Sequence, residues 1–551
     1  LISRLRSGAT KLFRDRRGNA MMLTAAAIVP VIGIIGSAVD IGRGYMAQLR
    51  LQQACDAGVL AGRRAMAAGN YTDDAKGKAN AMFAFNYPSN LYGSTGVNFS
   101  SNVPSGSTGT DVIGTASATL PTAIMFIFGN EQFNLSVNCA AKLEISNTDV
   151  ILVLDVTASM QQEIDDADAP PPTSSSSGGK GKGKGTSTPA PAKIAKILAL
   201  QNAAKLFLTT LTSATTDGRL RVGVVPYSGA VNVGRILKPE WISDTVTLPS
   251  RSYSSSKDEY TLQNRTFDVS AGKTFNATTG LANQLTFNTG TNGANVTARW
   301  QGCVTEVRTT AFGPNATAPT SALDMNIDMI PKAGDDDTKW KMYLPEFTYD
   351  RTSTASSTTK SNGKSFYENT GWSACPDPVM PLTEMNSAGQ DEFERVIDGL
   401  TTTGGTYHDS GIVWGTRMIS PTGLYEDDNK PTNSRPVSRH IIFMTDGEMD
   451  ARLNYYSHQG VERAIVRTGG TGELDNEARH SNRMLQLCNQ AKDKGVVIWV
   501  IGFGVDLSLA ANEKLVQCAS TNKAFEAGSS AKLAGIFQNI ATAISRLRLS
   551  Q

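Results

Sequence analysis

Three observations predict an α/β protein for this chain: a doubly wound, mostly parallel sheet, interrupted by a β-rich insertion and preceded by a single transmembrane helix and a small α+β segment. First, short uncharged runs recur at "VILVL" (150–154), "IIFM" (441–444) and "VVIWVIGFGV" (496–505). Continuous apolar runs of this length read as strands buried on both faces. Second, segments of helical period alternate with them: "KIAKILALQNAAKLFLTTL", "DEFERVIDGL", "SNRMLQLCNQAKDKG", "AANEKLVQCAS" and "SAKLAGIFQNIATAISRLRL". Strand–helix alternation implies a parallel sheet covered on both faces. Third, residues 20–39 carry no charge, and twenty helical residues span about 30 Å, the thickness of a bilayer core.

Taken in chain order, residues 1–19 form a basic tail containing Arg4, Arg6, Lys11, Arg14, Arg16 and Arg17 against Asp15. Residues 20–40 are the expected transmembrane helix, with Pro30 tolerated inside it. The flank beyond mixes Asp40, Arg43, Arg50 and Asp56. The charge asymmetry places the N-terminus in the cytoplasm and the remaining residues outside it. A cleaved signal peptide is the competing reading, but no A-x-A site directly follows the run. The helix is expected to continue to Gly69, with Ala47, Ala54, Ala57, Gly58 and Ala61 allowing close packing. Within 41–147, "FNLSVNCAAKLEI" alternates as a strand, and a small β layer is expected on that helix. Cys139 falls in the strand and Cys55 in the helix, so a Cys55–Cys139 bridge is expected.

Residues 148–235 begin the doubly wound domain. Within them, 163–192 is a Pro/Ser/Gly/Lys-rich stretch that cannot build a core and reads as a solvated loop, its Lys180, Lys182 and Lys184 serving solubility. Residues 236–380 are Thr/Ser/Asn-rich with short alternating runs and form the β-rich insertion. Asp335, Asp336 and Asp337 within it lack the alternating spacing of a calcium loop and read as an acidic turn. Residues 381–548 complete the domain.

Composition excludes several classes. The net charge of +2 and 19% charged residues offer no electrostatic footprint for nucleic acid. The chain contains no C-x-x-C, H-E-x-x-H, G-x-S-x-G or P-loop motif, and nothing frames a carboxylate pair for acid–base work. An enzyme is therefore not expected. The four histidines, His408, His440, His458 and His480, are scattered, and His408 reads as a hydrogen-bonded loop residue. Trp300 and Trp414 read as packing anchors.

The chemistry lies at strand ends. In doubly wound sheets, ligands bind at the carboxyl edge where strand order reverses. Asp155 ends one strand and is followed by Thr157 and Ser159, an alternation that aims three oxygens at one point. Asp446 ends another, before Gly447. Between them, "TTTGGTYHDSG" offers Thr406 behind Gly404 and Gly405. Asp155, Thr157, Ser159, Thr406 and Asp446 are all hard oxygen donors, suited to Mg²⁺, with Mn²⁺ or Ca²⁺ as alternatives, and not to zinc.

Three resemblances follow from these residues. "RDRRGNAMMLTAAAIVPVIGIIGSAVDIGRGYMAQLRLQQACDAGVLAG" resembles the N-terminal segment of TadE/TadG-like proteins of Tad (Flp) pilus assembly. Leu23 stands at the fifth position after Gly18, where peptidase-processed pilins carry Glu, so an intact anchor is expected. The D-x-T-x-S, Thr406 and "TDG" set resembles the metal-ion-dependent adhesion site (MIDAS) of von Willebrand factor A domains, with Thr157 replacing a serine. That resemblance implies an open metal position that accepts an acidic side chain of a partner; Glu163, Asp165, Asp166 or Asp168 of the neighbouring loop offers an internal occupant. "WQGC" (300–303), "CPDPVMPLT" (375–383) and "GIVWGTRMISP" (411–421) resemble the TadG-like subgroup that joins the two parts, which implies Cys303–Cys375 and Cys488–Cys518 pairings. The resemblance implies a non-enzymatic, inner-membrane component of a Tad pilus machine whose partners are other assembly proteins or pilus subunits. The alternative is a cell-envelope adhesin using the same domain.

Overall fold

The computed structural model describes residues 16–66, 71–104, 111–142, 147–166, 192–213, 219–369, 375–431 and 436–549. The basic tail before Arg16 and residues 167–191, with Asp168 and the three glycine-flanked lysines, lie outside the described residues. The chain divides into two compact units, Leu1–Glu144 and Ile145–Gln551.

In the first unit, α1 (Arg16–Met66) runs through Pro30 without interruption. Its N-terminal part is long and apolar enough to cross a membrane, with a mean hydropathy of 2.2. Beyond residue 40 the character changes. Ala47, Leu51, Ala54, Cys55 and Val59 recur at helical spacing and are fully buried. They pack on α2 (Asp73–Asn86) and on a three-stranded antiparallel sheet of β1 (Thr95–Asn102), β2 (Asp111–Pro121) and β3 (Gln132–Lys142). Contact is close: a Cβ on Gly114 would meet Val59 at 2.6 Å. Cys55 and Cys139 are disulfide-bonded across this layer. Helix α2 lies in the segment for which the sequence predicts a small β layer. It is started by Thr72, whose side chain accepts from Ala75 N, and by Asp73 and Asp74 in the first turn.

The second unit is built on a six-stranded sheet. Its strands are β4 (Asn147–Asp155), β7 (Leu220–Tyr227), β10 (Met380–Glu384), β11 (Val437–Thr445), β12 (Val496–Phe503) and β13 (Ala524–Ala527), in the order β10-β7-β4-β11-β12-β13. All pairings are parallel except β10 on β7. Alternate residues divide between two cores. Val150, Leu152, Leu154, Ile442, Met444 and Ile501 face α3 (Lys196–Ser213), α4 (Ser387–Asp398) and α8 (Ser530–Leu549). Ile151, Val153, Ile441, Phe443, Ile498 and Val500 face α5 (His408–Ile419), α6 (Glu473–Asp493) and the residues between β7 and β10. Cys488 on α6 is bonded to Cys518 at the end of α7 (Glu513–Cys518).

Two features differ from the sequence reading. The ends of the low-complexity stretch are strands: β5 (Glu163–Asp166) pairs antiparallel with β6 (Ala192–Ala195), which leads straight into α3. Ile164 and Ile194 pack on the core and anchor this ribbon. Residues 236–380 are less strand-rich than their alternation suggests. A hairpin of β8 (Thr245–Ser254) and β9 (Glu259–Asp268) is joined by short pairs and single 3₁₀ turns. Trp241, Trp300, Trp340 and Phe347 lie in the same core as the sheet residues Ile151 and Val153. Cys303–Cys375 ties this layer together. The 335–337 acids form a capped turn, with Asp337 paired to Arg308 at 3.4 Å and Asp336 to Lys341.

In this layer, burial pushes the half-buried Glu346 carboxyl up from 4.5 to about 7. The unfolded carboxyl loses its proton from pH 4.5 upward while the folded one keeps it to about pH 7, so the cost is absent below pH 4.5, grows between the two values and is complete above pH 7. Glu346→Gln is expected to gain roughly 1–3 kcal/mol over wild type at pH 8 and nothing at pH 4. Urea denaturation at the two pH values checks this.

Candidate metal centre

Strand β4 is buried along its whole length and delivers Asp155 to the carboxyl edge of the sheet, between β7 and β11. Chain order reverses there: from β4 the chain goes to β7 on one side and only later to β11 on the other, which makes a crevice. The Asp155 side chain is fully buried. Its Oδ1 accepts from Thr157 N at 2.9 Å and Thr157 Oγ1 at 2.6 Å. Its Oδ2 accepts from Thr445 Oγ1 at 2.7 Å and Tyr227 OH at 3.3 Å. Tyr227 is register partner of Asp155, and Thr445 directly follows Met444, which is paired with Leu154.

Ser159 Oγ donates to Asp446 Oδ1 at 2.6 Å and lies 2.9 Å from Thr157 Oγ1. The Thr406 loop is laced to the same edge, with Thr403 N donating to Val156 O at 2.7 Å and Ala158 N to Gly404 O at 3.2 Å. Gly404 adopts φ +72°, a conformation that disfavours a Cβ. Thr406 O accepts from Asp450 N at 2.9 Å, and a Cβ on Gly447 would lie 3.6 Å from Thr406 Oγ1. Asp155, Thr157, Ser159 and Asp446 are thus joined by hydrogen bonds, and Thr406 borders the same turn.

The donor set fits a divalent cation. Thr157 and Ser159 each spend their one hydroxyl hydrogen on a carboxylate. Their oxygens then face each other at 2.9 Å with lone pairs and no hydrogen left for the gap. Adjacent oxygens around octahedral Mg²⁺ at 2.0–2.1 Å sit about 3 Å apart. Burial pushes both carboxyls up, and for Asp446 the charge of Asp155 adds to it. A cation relieves both.

Several contributors are not legible as site residues in the sequence. Lys196, the first residue of α3, places Nζ 2.9 Å from Asp446 Oδ2 and is itself buried. His408 lies on α5 rather than in a loop, with Nε2 3.1 Å from Thr445 Oγ1. Burial pushes its pKa down to about 4, so it is neutral. Glu163 and Asp165 stand exposed on β5, paired across the ribbon with Ala195 and Lys193. Trp300 and Trp414 are buried, Trp300 Nε1 bonding Cys303 O at 2.6 Å.

A second group of ligand-type side chains lies beneath α5. Asp409 Oδ2 accepts from His480 Nδ1 at 2.7 Å and lies 3.3 Å from His458 Nε2, all three being buried. Burial works to raise this carboxyl, but the two imidazoles outweigh it and hold it well below the usual range.

Comparison with known proteins bears on both units. Residues 18–69 match the family model described as "Putative Flp pilus-assembly TadE/G-like". No curated protein matches the chain. Among solved structures, the chain is similar to the vWF domain of the type V pili tip protein Mfa5 from Porphyromonas gingivalis. The identity is 13%, covering 74% of this chain and 97% of that one, with a TM-score of 0.31. It is similar to a von Willebrand factor type A protein from Catenulispora acidiphila at 11% identity, covering 82% and 50%, with a TM-score of 0.27. The pilus adhesin SpaC from Lactobacillus rhamnosus GG matches at 11% identity over 82% of this chain, with a TM-score of 0.31. The match spans 34% of the SpaC chain. Residues 18–69 of this α/β chain thus form a TadE/G-like Flp pilus-assembly segment carrying one long apolar helix, and its structural neighbours include the vWF domain of a pili tip protein and a von Willebrand factor type A protein.

Proposed function

We propose that the chain is a membrane-anchored, periplasm-facing structural component of a Tad (Flp) type pilus assembly machine. It is not an enzyme in this reading, and it binds a protein partner through a divalent metal. The observation that carries the reading is the buried oxygen cluster at the switch point of the sheet, in a chain whose first segment is of pilus-assembly type. Asp155, Thr157, Ser159, Thr406 and Asp446 hold Mg²⁺, and the bound metal supplies a Lewis-acidic position for an acidic side chain of an assembly protein or pilus subunit. The N-terminus is cytoplasmic and α1 crosses the inner membrane once, as the basic residues before it support.

Lys196 tunes this site. Its ammonium cancels one of two buried negative charges and lies where it competes with a metal for Asp446. Lys196→Met keeps the apolar stem and removes the charge. It is expected to tighten Mg²⁺ binding roughly ten- to a hundredfold, about 1.4–2.7 kcal/mol. Calorimetric titration checks this.

The functional test is genetic. Replacing the chromosomal copy with Asp155→Asn is expected to leave the protein in the membrane and abolish surface pili. Normal piliation with loss only of attachment to an external surface contradicts the assembly role and favours an adhesin.

A further inference from the structure

The turn between β2 and β3 carries a second apolar element, separate from the helix. Its tip is the 3₁₀ turn Met125–Phe128, "MFIF". Phe126, Ile127 and Phe128 are 54%, 65% and 48% exposed, three adjacent large apolar side chains at the end of a hairpin. Isolated exposed apolar residues are ordinary, but a contiguous cluster marks an interaction surface.

Its position says what it meets. A Cβ on Gly36 would strike Ile124 at 2.3 Å, and one on Gly33 would strike Phe128 at 2.9 Å, so the tip lies against α1 at these two glycines. Gly36 and Gly33 precede Asp40, at the end of the apolar run, by four and seven residues. At 1.5 Å per residue that is about 6 and 10 Å back along the membrane-crossing stretch. The neighbouring helix residues Ile34, Ile35 and Ile32 are exposed as well. Pro30, Gly33, Ile34 and Phe128 line an open, mostly apolar groove between tip and helix.

The backbone is prepared for a water-free setting, where an unpaired N–H costs several kcal/mol. The buried Asp40 carboxylate accepts from Ala123 N at 2.7 Å and from Ile124 N and Met125 N at 2.8 Å. Ile127 N, Gly129 N and Asn130 N bond to carbonyls of the same turn at 3.1 Å. Asp40 is itself paired with Arg43 at 3.3 Å, and at the base of the hairpin Thr122 Oγ1 bonds Asn130 O at 2.6 Å.

We infer that the Met125–Phe128 tip is a second membrane contact, inserted in the leaflet where α1 leaves the bilayer. It fixes the tilt and rotation of the first unit on the membrane. The inference rests on α1 being a membrane span.

The test uses the full chain in phosphatidylcholine nanodiscs. All six native cysteines are in disulfides, so one added cysteine takes an environment-sensitive fluorophore. Ile127→Cys is compared with Ile28→Cys on α1 and Asn98→Cys on the exposed face of β1. Position 127 is expected to lose emission to doxyl-labelled lipid as position 28 does, and to resist aqueous iodide. Iodide quenching at 127 alongside lipid quenching at 28 overturns the inference and leaves the anchor standing. Blue-shifted emission at 127 that neither quencher reaches means a protein partner covers the tip, which also overturns it. Loss of lipid quenching at 28 overturns the anchor itself, and the inference with it.

Discussion

Asp155→Asn is expected to abolish stabilisation by Mg²⁺ without unfolding the protein. At a hundredfold excess of metal over its dissociation constant, the wild type gains about 2.7 kcal/mol, and the variant gains nothing. The substitution removes charge and preserves shape. Thr157 N and Thr157 Oγ1 donate to one oxygen of Asp155, a role the asparagine carbonyl keeps. The amide nitrogen then faces the Thr445 and Tyr227 hydroxyls, which accept. In EDTA the variant is expected to equal the wild type or exceed it by roughly 1 kcal/mol. Burial disfavours the Asp155 charge, and without it Asp446 and Lys196 balance. Thermal melts with EDTA and with Mg²⁺ read both effects. An Mg²⁺ response retained in the variant refutes the assignment of Asp155.

Arg417→Met is expected to cost about 3–5 kcal/mol, the largest stability effect of any single substitution considered. Arg417 is wholly buried on α5. It grips Glu306 with two bonds, at 2.8 and 3.0 Å, and donates to Asp324 O at 2.9 Å. Its guanidinium stacks on Trp414 at 4.9 Å and Trp340 at 5.3 Å. Without it, the buried Glu306 carboxyl is left with the Trp340 indole N–H, at 3.2 Å, as its remaining side-chain donor. The pair joins the layer between β7 and β10 to the helix that follows the Thr406 loop, so its loss is also expected to loosen the metal edge. Adding Glu306→Gln removes the stranded charge and is expected to restore most of the loss. Urea denaturation of both single variants and the double variant measures this. A cost below about 1 kcal/mol for Arg417→Met contradicts the argument.

What was readable in the sequence follows from where each residue's information lies. Strands β4 and β11 are continuous apolar runs because both faces are covered, and their ends announce themselves with Asp155 and Asp446. Thr157, Ser159 and Thr406 could be named as candidates because D-x-T-x-S and the glycine loop are local patterns. Helix α5 was hidden for the opposite reason. All twelve of its residues are buried, including His408, Asp409 and Arg417, so it shows no polar face and no period to detect. Tyr227 and Thr445 reach Asp155 through strand register, and His408 reaches Thr445 through helix packing, neither of which a single sequence encodes. Lys196 sits at the head of a helix whose apolar stripe was clear, but only the β5–β6 ribbon turns its ammonium toward Asp446. Asp409, His458 and His480 are scattered along the chain and meet only because α5, the Tyr456–Val461 hairpin region and α6 pack together.

The proposal that the metal edge recruits a pilus-assembly partner is tested most directly by affinity capture from solubilised membranes. Wild type is compared with an Asp155→Asn plus Asp446→Asn variant, each in Mg²⁺ and in EDTA. The account predicts that assembly proteins or pilus subunits are recovered with wild type in Mg²⁺ and lost in the other three conditions. Equal recovery in all four contradicts it.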